Sequence, residues 1–340
     1  MYFRLIMQIY ENCSLVNHNT FHIEAVAEKL VRIEQEKDIL TVLAFNQSLN
    51  ILGGGSNILF TKNPAGVVCL NQLKGITILE ENNDFVRVEF GSGEVWHDCV
   101  LWAIDRGYGG IENLSLIPGT IGAAPLQNIG AYGVELKDVF YSLNAIHRST
   151  LEHHTFSKEQ CNFGYRESVF KHALKNQYFI TSVTLELSKK PVIRTDYGSI
   201  LDELKAMHCH EPYSIKQVSD AVIRIRSSKL PDPKDIGNAG SFFKNPVISQ
   251  EHFNHLKNTF HNMPSYPAPD GVKIPAAWLI EQCGWKGFKE GNYGVHPKQA
   301  LVLVNYGGSS GEQLYHLSER IIQSVLDKFQ ITLHREVNVW

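Results

Sequence analysis

Leu49-Asn50-Ile51-Leu52-Gly53-Gly54-Gly55-Ser56-Asn57-Ile58-Leu59-Phe60 is an apolar run, a glycine-rich turn and a second apolar run. Strand, tight loop, strand is its natural reading, because glycine opens backbone conformations closed to other residues. The amides of Gly53, Gly54 and Gly55, with the short side chains of Ser56 and Asn57, then stand at a strand end without Cβ obstruction. Such a loop suits anionic oxygens like those of a pyrophosphate. A dinucleotide-fold fingerprint has another glycine spacing and opens a helix, and a phosphate-binding Walker loop carries a lysine; neither is present. The plain alternative is a turn and nothing more. The strands and helices elsewhere follow no strict βαβ rhythm, so the chain reads as α+β rather than a doubly wound parallel sheet.

On the N-terminal side, Ile23, Val26, Ala27, Leu30 and Ile33 fall at helical spacing and predict a helix over 22–36. On the C-terminal side, Glu94 to Arg106 predicts a helix that stops at Gly107 in a left-handed cap. Phe140–His147 and Tyr178–Leu187 read as strands, and Ser214–Arg226 as an amphipathic helix. Leu230-Pro231-Asp232-Pro233 marks a change of unit. Leu314, Leu317, Ile321, Val325 and Phe329 form one stripe of a long helix, with Ser309-x-x-Glu312 as its capping box, and Ile331–Trp340 reads as a short β segment.

The 340 residues allow two domains or one large one, and 43 % apolar with 20 % charged residues rules out disorder as the main state. Thirty-five acidic against 32 basic residues leave a net charge of −3, so no broad field draws nucleic acid or an anionic membrane. No apolar run reaches the ~20 residues of a membrane span. Met1 to Tyr10 is interrupted by Arg4 and Gln8, lacks a basic start and a small-residue cleavage site, and makes a poor signal peptide. Cysteines at 13, 69, 99, 161, 209 and 283 form no CxxC pair and suit reduced thiols of the cytoplasm. His153-His154 reads as a solvated turn and His208-Cys209-His210 has no shared helix face, so no metal site is expected.

Ile117-Pro-Gly-Thr-Ile-Gly-Ala-Ala-Pro-Leu-Gln-Asn-Ile-Gly-Ala-Tyr-Gly133 sets four glycines in fixed relation to two prolines. A flat ligand or long cofactor fits against so bare a main chain, the alternative being a structural Ω-loop. Phe163-Gly-Tyr-Arg166 places an arginine beside an aromatic, suited to a planar carboxylate. In Gly240-Ser-Phe-Phe-Lys-Asn-Pro246, Ser241 is a candidate proton donor, and no nucleophile elbow surrounds it.

These segments, followed by Trp278-Leu-Ile-Glu-Gln-Cys283, occur in an order that resembles the UDP-N-acetylenolpyruvoylglucosamine reductases, or UDP-N-acetylmuramate dehydrogenases, of bacterial cell-wall synthesis, from about Asn19 to Val337. The resemblance implies an α+β FAD-binding domain of the PCMH/vanillyl-alcohol-oxidase type, two α+β subdomains over residues 17–189. An α+β substrate domain over 214–337 follows, its last strand returning to the FAD domain. It implies non-covalent FAD reduced by NADPH, hydride transfer from flavin N5 to the enolpyruvyl double bond of a UDP-sugar, and a cytoplasmic monomer. Asp196-Tyr197-Gly198 resembles the longer of two subclasses, in which the tyrosine folds over the nucleotide.

Carried over by position, Ser241 matches the proton donor, while Arg166 and Glu336 match the groups that polarise the substrate carboxylate. Gly53, Gly54, Gly55, Ser56 and Asn57, with Gly119, Thr120, Gly122, Ala123, Asn128, Ile129 and Gly130, match flavin contacts. Tyr132, Tyr165, Tyr197, Arg226, Lys229, Asn245, Tyr266, Lys286 and Gln299 match contacts to the UDP-sugar. Three departures stand out. Arg335 replaces the proline usual before Glu336, which loosens the backbone and offers Glu336 an ion-pair partner. Asn338 replaces an arginine, and Ala123-Ala124 replaces a serine pair. Two rival readings remain. Another PCMH-type oxidoreductase would typically attach its flavin through a histidine, and neither glycine-rich segment holds one. A UDP-sugar-binding regulator without turnover would have no use for Ser241 and Arg166.

Overall fold

Val26–Ile33 is a strand, where its apolar spacing predicts a helix. It pairs in parallel with Val67–Asn71, which pairs in parallel with Leu49–Leu52. Ala27, Leu30, Val31 and Ile33 are all buried. Leu30 is buried on the face that leaves Val26 and Glu28 exposed, and Lys29 interrupts the buried face of Ala27, Val31 and Ile33, so the two-residue alternation is broken and the apolar residues mimic helical spacing. The structure, a computed structural model, describes residues 7–45 and 47–340. Residues 1–6, the start of the Met1–Tyr10 segment, lie outside the described residues, as does Asn46.

Two compact units divide the chain. Among the described residues, the first comprises 7–13, Ala27–Gly54 and Ala65–Ser228; the second comprises Ser14–Val26, Gly55–Pro64 and Lys229–Trp340. In the first unit, beside the sheet just described, five antiparallel strands lie in the order His153–Ser157, Phe140–His147, Tyr178–Ser188, Phe85–Gly91 and Ile76–Glu81. Phe85–Gly91 alternates strictly, and Val86, Val88 and Phe90 share a core with Trp96, Cys99, Val100 and Ala103. The helix carrying that face runs Trp96–Ile104, and Gly107 closes it at φ +77° with its amide on the Ile104 carbonyl. His153 and His154 belong to a strand rather than the solvated turn expected, and the His154 ring bonds the Tyr178 hydroxyl at 2.8 Å. Helices Ile200–Ala206 and Ile215–Lys229 pack through Ile200, Leu204, Val218, Ala221, Val222 and Ile225.

The second unit combines small sheets with the helix Gly311–Phe329. Leu314, Leu317, Ile321, Val325 and Phe329 are fully buried, as their spacing predicts. The capping box is Ser310 with Gln313, one residue beyond the Ser309 and Glu312 expected. Packing sets that register: a Cβ on Gly311 would stand 1.7 Å from the Phe60 carbonyl oxygen, so this first helical residue has to be glycine. Asn338–Val339 is the closing β segment, parallel to Ile58–Leu59.

Candidate active site

In the first unit, the glycine-rich turn meets the 117–133 segment backbone to backbone. A Cβ on Gly54 would lie 3.0 Å from Gly119 Cα, and one on Gly53 would lie 2.6 Å from Thr120 Oγ1. At Gly54 the two main chains meet with no side chain between, and at Gly53 the Thr120 hydroxyl fills the space; bare strand-end amides of this kind suit a long anionic cofactor. From Gly119 onward the segment is tied to the stretch that leads from the strand Phe85–Gly91 into the helix Trp96–Ile104. The Gly119 carbonyl accepts from the Trp96 amide, and the Ile121 and Gly122 amides donate to the carbonyls of Glu94 and Ser92. A 3-10 turn over Ile121–Gln127 follows, ending at Asn128 with φ +42°. Asn128 is fully buried, donating through Nδ2 to Glu135 and to the Gly164 carbonyl and accepting from the Lys137 amide. Its side chain and its amide, which donates to the Pro125 carbonyl, are both committed to shaping the loop. Ala123 is exposed at the head of the turn, while Ala124 and Ile129 are buried.

Arg166 approaches the same segment, donating from Nη2 to the Gly130 carbonyl at 2.7 Å. It occupies the second central position of the tight turn Gly164–Glu167 with φ +58°, a place that glycine or asparagine ordinarily fills. Its guanidinium stands over the half-exposed Tyr165 ring. Arg226, on the helix Ile215–Lys229, has a buried Nε without a hydrogen-bond partner among the described residues. Burial pushes the Arg226 pKa down, Tyr132 opposes this, and the charge of Arg166 adds to it. Burial pushes the Tyr132 hydroxyl up, Arg226 pulls it back, and Tyr197 raises it further. Two guanidiniums and two phenols therefore act on one another here, a donor set suited to an anion. Tyr197 lies against the loop, 3.2 Å from where a Cβ on Gly133 would be, and is 51 % exposed.

Sequence reading missed Asn113. Buried in a 3-10 turn, it donates to the carbonyls of Tyr132 and Arg194 and so ties the 130s loop to the stretch leading to Tyr197. Nothing in its surroundings marks it, because both partners are main-chain oxygens distant in sequence.

In the second unit, Gly240–Pro246 threads between two segments. The Phe242 amide donates to the Leu301 carbonyl and the Glu336 amide to the Phe242 carbonyl, both at 2.8 Å. Ser241 bridges Val302 and is exposed, while Phe242 and Phe243 on either side of the chain are buried. Asn57 Nδ2 reaches the Glu336 carbonyl at 3.2 Å, and Asn338 returns two bonds to the Asn57 carbonyl. Ser241, Glu336 and the end of the glycine-rich loop are thus joined within one network. Gln299 turns its Oε1 to the Leu301 amide, and Asn245 Oδ1 accepts from the Ala276 amide. Lys286 is ion-paired with Glu281 at 2.6 Å, and Tyr266 and Lys229 are exposed. Arg335 does not pair with Glu336. Its guanidinium is taken by Glu319 and Ser318 on the helix Gly311–Phe329 and lies 4.5 Å from the Tyr315 ring centre. Among the described residues no cluster of three or more metal-ligating side chains occurs.

A family model described as the C-terminal domain of UDP-N-acetylenolpyruvoylglucosamine reductase matches residues 232–340, and one described as an FAD binding domain matches 27–150. The UDP-N-acetylenolpyruvoylglucosamine reductase of Flavobacterium johnsoniae is 50 % identical over 337 residues, covering 98 % of this chain and 100 % of its own. That of Pseudomonas aeruginosa is 43 % identical over 339 residues, covering 98 % and 99 %. In fold, the chain is similar to the crystal structure of the Thermus caldophilus UDP-N-acetylenolpyruvylglucosamine reductase, with a TM-score of 0.71 at 21 % identity, over 98 % of this chain and 100 % of that one.

Proposed function

The chain belongs to the UDP-N-acetylenolpyruvoylglucosamine reductases, and from that premise we propose how its residues divide the work. It is an FAD-binding oxidoreductase, a UDP-N-acetylmuramate dehydrogenase of peptidoglycan precursor synthesis, with NADPH as reductant. Residues 17–189 carry the flavin and 214–337 take the sugar nucleotide. The Gly53–Asn57 loop would hold the FAD through its amides, and Gly119, Thr120, Gly122, Ala123, Asn128, Ile129 and Gly130 would supply the remaining flavin contacts. Bound FAD supplies the hydride that reduces the enolpyruvyl double bond.

Hydride addition leaves negative charge on the carbon beside the substrate carboxylate, shared with it as an enolate. Arg166 holds that carboxylate and counts for most as the charge grows, as oxyanion donors do. Glu336 meets the same carboxylate and polarises it together with Arg166. Ser241 Oγ delivers the proton to the carbanion-like carbon. Arg226 and Lys229, three residues apart on one helix, take the anionic diphosphate together with Asn245, Tyr266, Lys286 and Gln299, which displaces Lys286 from Glu281. Tyr132 and Tyr165 line the sugar's path. Tyr197 folds over the nucleotide, as in the longer subclass. The protein works as a cytoplasmic monomer; no described helix is long and apolar enough to cross a membrane.

The observation that supports this reading is the threading of the Ser241 segment between Leu301 and Glu336, with the Phe242 amide on the Leu301 carbonyl and the Glu336 amide on the Phe242 carbonyl. Purified protein should be yellow, and acid should release its FAD into the supernatant. NADPH should bleach the flavin band, and UDP-N-acetylenolpyruvoylglucosamine should restore it. Flavin left on the acid pellet, or no recovery of absorbance with that substrate, would reject the reading.

A further inference from the structure

Glu336 is fixed through its main chain at both ends. Its amide is spent on the Phe242 carbonyl at 2.8 Å, and its carbonyl accepts from Asn57 at 3.2 Å. The residue before it does something different. At the Phe243–Arg335 bridge, the ladder bonds are made by the flanking residues, Lys244 to His334 and Glu336 to Phe242. Arg335 contributes its side chain, and contributes it to the helix Gly311–Phe329. Nε donates to Ser318 Oγ at 2.8 Å, Nη2 is ion-paired with Glu319, and the guanidinium lies 4.5 Å from the Tyr315 ring centre.

The receiving groups are fixed in turn. The Ser318 hydroxyl donates to the Tyr315 carbonyl at 2.6 Å, so its lone pairs are left aimed at Arg335. The helix itself is seated at Gly311 against the Phe60 carbonyl, with no room for a Cβ. A planar fork that makes two directed bonds while stacking on a ring fixes a chain in a way that a lysine ammonium does not.

We infer that Arg335 is a positioning residue, a side-chain clamp that holds the Glu336 segment to the helix Gly311–Phe329 and so sets where the Glu336 carboxyl stands. The inference rests on the reading of Glu336 as a catalytic group. A group that must meet one developing charge tolerates little drift, since a misplacement of about 1 Å can cost on the order of 10²-fold in rate.

The test uses the holoenzyme with Arg335→Ala, Arg335→Lys, Glu319→Gln, Arg335→Ala/Glu319→Gln and Glu336→Gln. Arg335→Ala should lower kcat for the enolpyruvyl substrate by roughly 10-fold, within the loss such drift allows. KM should hold within about twofold, and the rate of flavin reduction by NADPH should not change, because the lost interaction belongs to the transition state of the second step. Arg335→Lys should recover part of kcat. Glu319→Gln should fall short of Arg335→Ala, and the double variant should be no slower than Arg335→Ala, since the two act through one contact. Independently of turnover, hydrogen exchange in a peptide spanning residues 331–340 should accelerate in Arg335→Ala. If Glu336→Gln slows turnover and Arg335→Ala does not, the clamp is refuted while the reading of Glu336 stands. Should Glu336→Gln turn over normally, the reading of Glu336 itself fails. Equal slowing of both half-reactions in Arg335→Ala would make Arg335 a stability residue and overturn the proposal. If Arg335→Ala does not fold, Arg335→Lys and Glu319→Gln carry the same comparison.

Discussion

Arg166 pays a conformational penalty at φ +58° to bring its guanidinium to the Gly130 carbonyl. A side chain in the left-handed region costs about 1–2 kcal/mol, and such strain gathers where geometry serves chemistry. Charge and strain separate experimentally. Arg166→Ala keeps the strained backbone and loses the cation, whereas Arg166→Gly loses both. Both variants should lose turnover. Chemical denaturation should find Arg166→Gly more stable than Arg166→Ala by about 1 kcal/mol. Equal stability would mean that the turn relaxes, and that no strain is held there. The arginine and its aromatic neighbour are legible in the sequence. The positive φ is not, because it follows from the two-residue turn closed by Gly164 and Glu167.

Among the loops and turns, Gly55 and Glu112 carry the sharpest expectations. Gly55 sits at φ +62° with the His18 carbonyl oxygen 2.0 Å from where its Cβ would be. Gly54 has no positive φ, and its Cβ would meet Gly119 Cα at 3.0 Å. Gly55→Ala should therefore destabilise the protein more than Gly54→Ala, by at least the ~1 kcal/mol of the left-handed backbone, as read by urea denaturation. Glu112, buried in the turn Glu112–Leu114, has its carboxyl pKa raised above the ordinary 4.5 by burial, against the opposing pull of amide bonds and Arg194. The folded state then holds a proton that the unfolded chain has released, so its stability falls as pH climbs from 4.5 through the raised value. Glu112→Gln does not titrate. The melting temperature of the wild type should gain on that of Glu112→Gln as pH drops from 7.5 to 5, and a pH-independent difference would contradict it. Elements were legible where one face alone is buried, and the stripe from Leu314 to Phe329 gave the long helix away. Val26–Ile33 was not legible, because Lys29 interrupts its buried face and Leu30 is buried on the other, which breaks the period.

On the scale of the whole molecule, the motifs were legible in their linear order and the partition of the chain was not. Ser14–Val26 and Gly55–Pro64 cluster with the C-terminal residues, and the chain passes from one unit to the other between Gly54 and Gly55, inside the glycine-rich loop. Local sequence has no sign of this, since the partner of Asn57 is Asn338, 281 residues away. The same distance hid the network that joins Asn57, Glu336 and Phe242, and with it the surroundings of Ser241. Ser241 stands exposed on a segment held from two sides by main-chain bonds, with its buried neighbours Phe242 and Phe243 as anchors. Ser241→Ala should leave that frame intact and remove one proton donor.

Stopped-flow absorbance at the flavin band of Ser241→Ala times the two half-reactions separately and so isolates the step that needs the proton. Loss of a positioned general acid costs about 10²–10⁴ in rate, or roughly 3–5 kcal/mol of barrier. NADPH should bleach the variant's flavin at the wild-type rate, while reoxidation by UDP-N-acetylenolpyruvoylglucosamine should slow by about that factor. Reoxidation at the wild-type rate, or equal slowing of both steps, would contradict the assignment of Ser241 as proton donor.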